Sequence, residues 1–354
     1  MAQMLDRASP VWTVIIIGSF AFVVAVIGVP AVRRIAVRTG VLDNPEQGKM
    51  HTGATPYFGG LAIGLAALLI PSVFQSWTRE AAYIGIAAIM VSLCGLVDDL
   101  RNLNPYARLG VEILAAVLAV HAGARINLFG NWFDAALTVI WLVVITNSFN
   151  LLDNMDGVAG TIATATAIAL VVAAVLQDQI LVGALAAALA GGCLGFLVYN
   201  WHPASIFMGD AGSLLLGFLL AVVSLKLRWS TPHFESVTAV VLIMAPAVFD
   251  TTLVVVSRKL AGRSIMVGGT DHTSHRLHRL GLPIRWVATS LGLVAVTCAT
   301  LGVLVGRGVM SPWAAIIPIV TVSVAIFFPL LRMRVYAAGA GRLTGDGGAG
   351  ASAS

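Results

Sequence analysis

The amino-acid sequence predicts an all-α polytopic integral membrane protein of about eleven transmembrane helices, N-terminus outside and C-terminus cytoplasmic. Three observations predict this. Of 354 residues, 58% are hydrophobic and 10% charged, against about 25% charged in soluble domains. No soluble core could absorb so much apolar surface, whereas a bilayer can. Apolar runs recur at the length of about 20 residues that crosses roughly 30 Å of hydrocarbon. Lys and Arg are divided unequally between two alternating sets of connections, which orients the chain.

The run 11–32 is too long for a signal-peptide core, lacks an A-x-A cleavage pattern and stops at Arg33 and Arg34. It reads as a first transmembrane helix. The connection VLDNPEQGKMHTGATPYFGG (41–60) carries Asp43, Lys49 and His51 to a Gly-Gly pair near the start of span 58–76. Span 81–97 closes on GLVDDL, with Asp98 and Asp99 adjacent. The short run 107–122 holds Glu112 one turn from Arg108, a spacing at which the two pair. Spans 132–147 and 158–176 flank NSFNLLDNMDGVAG (147–160), and spans 179–199 and 212–228 flank NWHPASIFMGDAGSLLLG (200–217). Span 236–257 contains Asp250 about two turns before Arg258, within reach of a cytoplasmic cavity. The basic connection GGTDHTSHRLHRLG (268–281) precedes spans 286–306 and 312–331. Residues 1–342 thus form one transmembrane domain. Residues 343–354, ending GDGGAGASAS, form a disordered Gly/Ser/Ala tail.

One set of connections holds 15 of the 21 basic residues and the other holds 6, so the richer set is cytoplasmic. The net charge of +5 therefore reflects membrane orientation and not nucleic-acid binding. Cys94, Cys193 and Cys298 each fall inside an apolar run without CxxC spacing and read as small core residues. The side assignment makes a prediction of its own: residues able to do chemistry should segregate with it. Asp43, Asp98, Asp99, Asn147, Asn150, Asp153, Asp156, Asp210, Asp271, His272 and His275 all fall on the cytoplasmic side. That arrangement suits a soluble cytoplasmic substrate meeting something in the membrane.

Neighbouring carboxylates such as Asp98 and Asp99 repel unless a cation or basic group lies beside them. Asn147, Asn150, Asp153 and Asp156 recur every three residues and share one helical face, suited to a nucleotide or hydrated Mg²⁺. Asp210 lies between Gly209 and Ala211-Gly212, where glycines allow close approach of a ligand and the opening N–H groups of the next helix favour phosphate. His272 and His275 lack a third ligand at zinc spacing. With Arg258, Lys259, Arg263 and Arg276 they read as a basic rim for a pyrophosphate, although the arginines alone would also suit anionic lipid headgroups.

Together these motifs resemble the polyprenyl-phosphate N-acetylhexosamine-1-phosphate transferases, the superfamily of the MraY and WecA/TagO enzymes. The resemblance runs from about Asp43 to His278: D-x-P…H…GG, VDD, N-x-x-N-x-x-D-x-x-D-G, G-D-x-G-S and a His-containing loop, in order. It implies a bacterial plasma-membrane enzyme. Such an enzyme moves N-acetylglucosamine 1-phosphate from UDP-N-acetylglucosamine to undecaprenyl or another polyprenyl phosphate and releases UMP. It implies catalytic roles for Asp98, Asp99, Asp210, His272 and His275, and Mg²⁺ or Mn²⁺ held by Asp210, Asp99 and Asp153. Lys49, His51, Asn147, Asn150, Asp153, Asp156, Asn200, Asp271 and Arg276 would bind substrate. Membrane lipid surrounds such a chain, and a homodimer is compatible with it. Gly183, Gly191 and Gly195 could pack spans between copies or within one chain. Asn154 departs from the usual Gly, Gly48 stands where a basic residue is common, and D-H-T-S-H-R-L lacks MraY's three-histidine run. The last departure favours the WecA/TagO branch over phospho-N-acetylmuramoyl-pentapeptide transferase. A secondary transporter is the reading from another class, disfavoured because the acids cluster at helix ends and no repeated halves are evident.

Overall fold

The computed structural model describes residues 9–43, 53–74 and 78–336; Lys49, His51, Gly48 and the 343–354 tail lie outside the described residues. Twelve helices and one two-stranded ribbon occur among the described residues. Helix α1, Pro10–Thr39, begins with proline in its first turn and stops at Gly40, whose φ of 73° lets its N–H cap Ala36 and Val37 carbonyls. A short antiparallel ribbon pairs β1, Leu42–Asp43, with β2, Thr55–Pro56. Then follow α2 (Gly59–Phe74), α3 (Arg79–Arg101), α4 (Pro105–His121) and α5 (Trp132–Leu152). The side chains of Thr78, Asn104 and Asn131 cap α3, α4 and α5 by accepting a backbone N–H. Helices α6 (Val158–Val175), α7 (Ile180–Asn200), α8 (Asp210–Lys226) and α9 (His233–Leu260) lead to a short α10 (Thr273–Arg279). Helices α11 (Ile284–Gly306) and α12 (Pro312–Arg332) complete the described chain.

Among the described residues, eight helices are long and apolar enough to cross a bilayer: α1, α3, α5, α6, α7, α9, α11 and α12. The protein is an all-α, multi-pass membrane protein. Three expected spans, 58–76, 107–122 and 212–228, correspond to α2, α4 and α8, which have 16, 17 and 17 residues. At 1.5 Å per residue these run only about 25 Å, short of the hydrocarbon thickness. Helix α10 inside the histidine connection was not anticipated.

Helix α8 is the hub. Every residue from Ala211 to Ser224 is buried, as expected of a helix apolar on all sides. It packs against α2, α3 and α5, while α1 and α12 lie at the periphery and present apolar side chains outward. Close approach depends on glycine. A Cβ on Gly60 would lie 2.1 Å from Gly212 Cα, and one on Gly95 would lie 2.4 Å from the Asp210 carbonyl oxygen. Those two contacts seat α2 and α3 against the N-terminus of α8. Likewise Gly191 faces the Gly18 carbonyl, Gly195 faces Ala25, and Gly183 faces Val14. These three glycines therefore pack α7 onto α1 within one chain. All three cysteines are buried and free.

Candidate active site

The N-terminus of α8 gathers carboxylates from three other elements. Gly209 has φ 75°, and a Cβ there would sit 2.8 Å from Asp99 Oδ2, so the position demands glycine. This turn lets the backbone N–H groups of Asp210 and Ala211 donate to Asp99 Oδ1 and Oδ2 at 2.8 and 3.1 Å. Those N–H groups were expected to await a phosphate; instead Asp99, from the end of α3, caps them. Asp153 follows α5 and accepts the Gly209 N–H. Burial, then the charges of Asp210 and Asp99, push Asp153 up to about 8.

Arg108 on α4 lies among these acids. Its Nη1 donates to Asp98 Oδ2 at 3.0 Å and to Asp210 Oδ2 at 3.2 Å, and Nη2 donates to Asn147 Oδ1 at 3.3 Å. Its Nε stands 3.5 Å from Glu112 Oε1. Glu112, only 2% exposed, also accepts from Asn147 Nδ2. Asn150 donates to Asp210 Oδ1 at 2.8 Å and to Ser213 Oγ at 3.0 Å. Asp98 accepts the Leu103 N–H at 2.6 Å, which fixes its carboxylate at the turn between α3 and α4. A ribbon edge closes one side: Phe207 N–H donates to the Pro56 carbonyl, and Gly59 and Gly60 N–H groups donate to Phe207 and Met208 carbonyls. Tyr57 sits on this edge. Burial and its hydrogen bond with Asp43 raise the phenol well above its ordinary range.

Residues 81–228 match the model of glycosyl transferase family 4. The chain is 33% identical over 281 residues to the Bacillus subtilis protein named "Probable undecaprenyl-phosphate N-acetylglucosaminyl 1-phosphate transferase", covering 75% of this chain and 78% of that one. It is 31% identical over 315 residues to the decaprenyl-phosphate N-acetylglucosaminephosphotransferase of Mycolicibacterium smegmatis, covering 77% of each. A phospho-N-acetylmuramoyl-pentapeptide-transferase of Heliobacterium modesticaldum is 29% identical over 321 residues, covering 83% and 97%. The chain belongs to the polyprenyl-phosphate N-acetylhexosamine-1-phosphate transferases.

In this family 4 transferase a second cluster surrounds α10. His272 Nδ1 lies 2.9 Å from Asp250 Oδ2, and Asp250 Oδ1 accepts the Thr273 N–H at 2.7 Å. Asp250, a suspect because of its place within a helix, thus orients a histidine and opens α10. His275 packs 5.6 Å from His272, ring centre to ring centre. Its buried Nδ1 has no hydrogen-bond partner among the described residues. Burial, then the neighbouring His272, push His275 down to about 4. The unfolded chain therefore takes up a proton below about 6.5 that the folded chain refuses until about 4. Between these values the contribution of His275 to folding stability should fall as pH falls, by roughly 3 kcal/mol in total. Thermal unfolding of wild type and His275→Gln across pH 4–7 should show this fall as the difference between the two proteins, because the opposite slope from Asp153 is common to both. Ser274 Oγ donates to Asn154 Oδ1 and so docks α10 on the turn after α5.

The structure brings Asp98, Asp99, Asp153, Asp210, Asn147 and Asn150 together, while His272 and His275 belong to a second cluster tied to the turn after α5 by the Ser274–Asn154 bond. Three residues expected to bind substrate face inward instead. Asn200, 3% exposed, accepts the Gly157 N–H and donates to the Ile206 carbonyl, both at 3.0 Å. It ties the turn after α5 to the connection before α8. Arg276 is fully buried and donates to the carbonyls of Asp271 and Leu330 and to Ser257 Oγ. Asp271 is fully buried too, pairing with Arg258 Nε and Nη2 at 2.8 and 2.9 Å and accepting from Tyr336. Burial would raise Asp271, but the bonds from Arg258 and Tyr336 prevail and hold it at about 2. Asp156 stays partly open, held by His202 Nδ1 at 2.8 Å and the Ala204 N–H at 3.0 Å.

Arg108 is the principal residue that the motifs missed. Its signal is present, since an arginine one turn into an apolar helix must find carboxylates, but in the sequence the i+4 pairing with Glu112 is enough to account for it. Among the described residues no three His, Cys, Asp or Glu side chains already form a metal-ligating group. The donor set nevertheless fits Mg²⁺, because Asp210 and Asp153 offer hard carboxylate oxygens side by side at the N-terminus of α8. Mg²⁺ is commonly held by one or two carboxylates together with substrate phosphates, and not by a complete protein cage.

Proposed function

We propose that this chain transfers N-acetylglucosamine 1-phosphate from UDP-N-acetylglucosamine to undecaprenyl phosphate, releasing UMP, at the cytoplasmic face of a bacterial plasma membrane. The observation that carries this reading is the convergence of Asp98, Asp99, Asp153, Asp210, Asn147, Asn150 and Arg108 at the N-terminus of α8. The names of the Bacillus and Mycolicibacterium relatives support the donor sugar and the lipid acceptor. The eleven-span reading, with the N-terminus outside, rests on the 15-to-6 division of basic residues and on α2, α4 and α8 counting as short spans.

In this reading an oxygen of the acceptor phosphate attacks the sugar-bound phosphorus while the bond to UMP breaks. The acceptor is already largely ionised at neutral pH, with a second pKa near 6, so Asp98 positions it and need not deprotonate it. Asp98 is suited to that role because Leu103 and Arg108 fix its carboxylate. Asp210 and Asp153 would hold Mg²⁺, or Mn²⁺, with Asp99 anchoring the turn that presents them. The ion would neutralise the diphosphate and the departing UMP. Asn150 orients Asp210, and Asn147 and Asp156 line the approach for the nucleotide. His272 and His275 would receive the donor phosphates.

The test is radiolabel transfer from UDP-N-acetylglucosamine to undecaprenyl phosphate by the purified protein, with Mg²⁺, with Mn²⁺ and with EDTA. The expected result is labelled lipid that EDTA abolishes. Product only from UDP-N-acetylmuramoyl-pentapeptide, the substrate class named for the Heliobacterium relative, would overturn the donor assignment. No lipid product from either donor would overturn the reaction.

A further inference from the structure

The connection between α7 and α8 folds back over the turn that follows α5. Asn200 accepts the Gly157 N–H there. Two residues further on, His202 Nδ1 lies 2.8 Å from Asp156 Oδ2, and the Ala204 N–H donates to the same oxygen at 3.0 Å. The backbone around His202 is itself anchored from two other helices. Arg285, in the first turn of α11, donates through Nε to the His202 carbonyl at 2.8 Å. Arg33 on α1 donates through Nε to the Ser205 carbonyl at 3.0 Å.

An ionised carboxylate only accepts, so Nδ1 carries the hydrogen and His202 is the donor, whether its ring is neutral or charged. Asp156 Oδ2 thus receives two hydrogens, one from a side chain and one from the backbone. Oδ1 makes no hydrogen bond among the described residues and is not sealed from solvent. The side chain keeps 17% of its surface exposed, and that of His202 keeps 37%. One oxygen is locked and the other is presented. A carboxylate fixed in this way accepts a hydrogen from a ligand without first losing rotational freedom.

We infer that His202 is a positioning residue for the nucleotide: by holding Asp156 Oδ2, it keeps Oδ1 turned toward an N–H or O–H of the donor's nucleoside half. The inference rests on the proposed place of Asp156 along the nucleotide's approach. The sequence motifs mark Asp156 but give His202 no part. His202 acts on binding only through Asp156. Through Arg285 its support reaches α11, beyond the 81–228 segment that matches the family.

The test is equilibrium dialysis of the purified full chain with labelled UMP and labelled UDP-N-acetylglucosamine, beside steady-state kinetics. His202→Ala should weaken both Kd values about 10-fold, the scale of one hydrogen bond to a charged group. The two should move together because the nucleoside is common to both ligands. Donor KM should rise in proportion, while kcat and KM for undecaprenyl phosphate should hold, as for lost uniform binding. His202→Asn places an N–H donor where Nδ1 stood and should bring both Kd values back to within about threefold of wild type. In an Asp156→Ala background, adding His202→Ala should weaken binding no further. Unchanged Kd values in His202→Ala would overturn the inference. So would an equal further loss in the Asp156→Ala background, which would place the effect of His202 elsewhere. A loss that His202→Asn does not restore, joined to a lowered thermal midpoint in both variants, would assign His202 to folding and overturn it too. Wild type that binds UMP but transfers nothing would sink the proposed reaction, while the affinities of the variants would still decide this point. Wild type that binds neither nucleotide would sink both.

Discussion

Asp210→Asn is expected to lower kcat for lipid product by about 100- to 1000-fold, the scale of removing one preorganised electrostatic group from a reaction centre. The substitution keeps the side chain's size and one oxygen, so the α8 turn should survive: the bonds that hold that turn come from Asp99 to the backbone, not from the Asp210 side chain. What is lost is charge at the point where Arg108, Asn150 and the proposed Mg²⁺ meet. Without it the site holds the cation less tightly, so the Mg²⁺ concentration giving half-maximal rate should rise along with the fall in kcat. The check is a Mg²⁺ titration of the transfer rate at saturating donor for both proteins. A variant within about threefold of wild type at every Mg²⁺ concentration would show that Asp210 neither binds the cation nor stabilises the transferring phosphate.

The legibility of this protein in its sequence follows chemical class. Eight long helices were legible because lipid demands long apolar runs. The α8 cluster was legible in part, since the motifs themselves carry Asp210, Asp153, Asn150 and the Asp98–Asp99 pair that the fold brings together. It was illegible where two residues of similar type serve different ends. Asp271 and Asp250 both precede the histidines, yet Asp250 bonds to His272 while Asp271 is sequestered by Arg258 and Tyr336. Arg276 belongs to a basic loop, a pattern that suggests exposure, but its burial follows from α12 crossing behind it, a long-range fact that no local spacing carries. Asn200 presents the same problem, since an asparagine at a helix end reads equally as a ligand or as a clamp between two loops.

Arg108→Ala should produce the second large effect, a loss of about 100-fold in kcat joined to a fall in thermal midpoint, and the two parts are separable. Arg108 reaches Asp98, Asp210, Asn147 and Glu112 at once, a geometry that only a planar fork of donors can satisfy. Its removal leaves Asp98 and Asp210 facing one another without a cation and leaves Glu112 buried without its charge partner. The second consequence costs stability, about 3–5 kcal/mol for a buried pair broken on one side. Pairing the change with Glu112→Gln removes the stranded charge, so the double variant should recover much of the lost midpoint. It should recover little of the lost rate, because Asp98 and Asp210 still lack the group that holds them in register. Arg108→Lys keeps one charge but can satisfy only part of the fork, and should fall between, about 10-fold down. Measuring kcat and thermal midpoint for wild type, both single variants and the double variant yields the coupling directly. If Glu112→Gln restored rate and stability together, Arg108 would be a structural counter-ion for Glu112 alone. If the rate stayed low while the midpoint recovered, Arg108 would belong with Asp98 and Asp210 as a residue that organises the reacting phosphates.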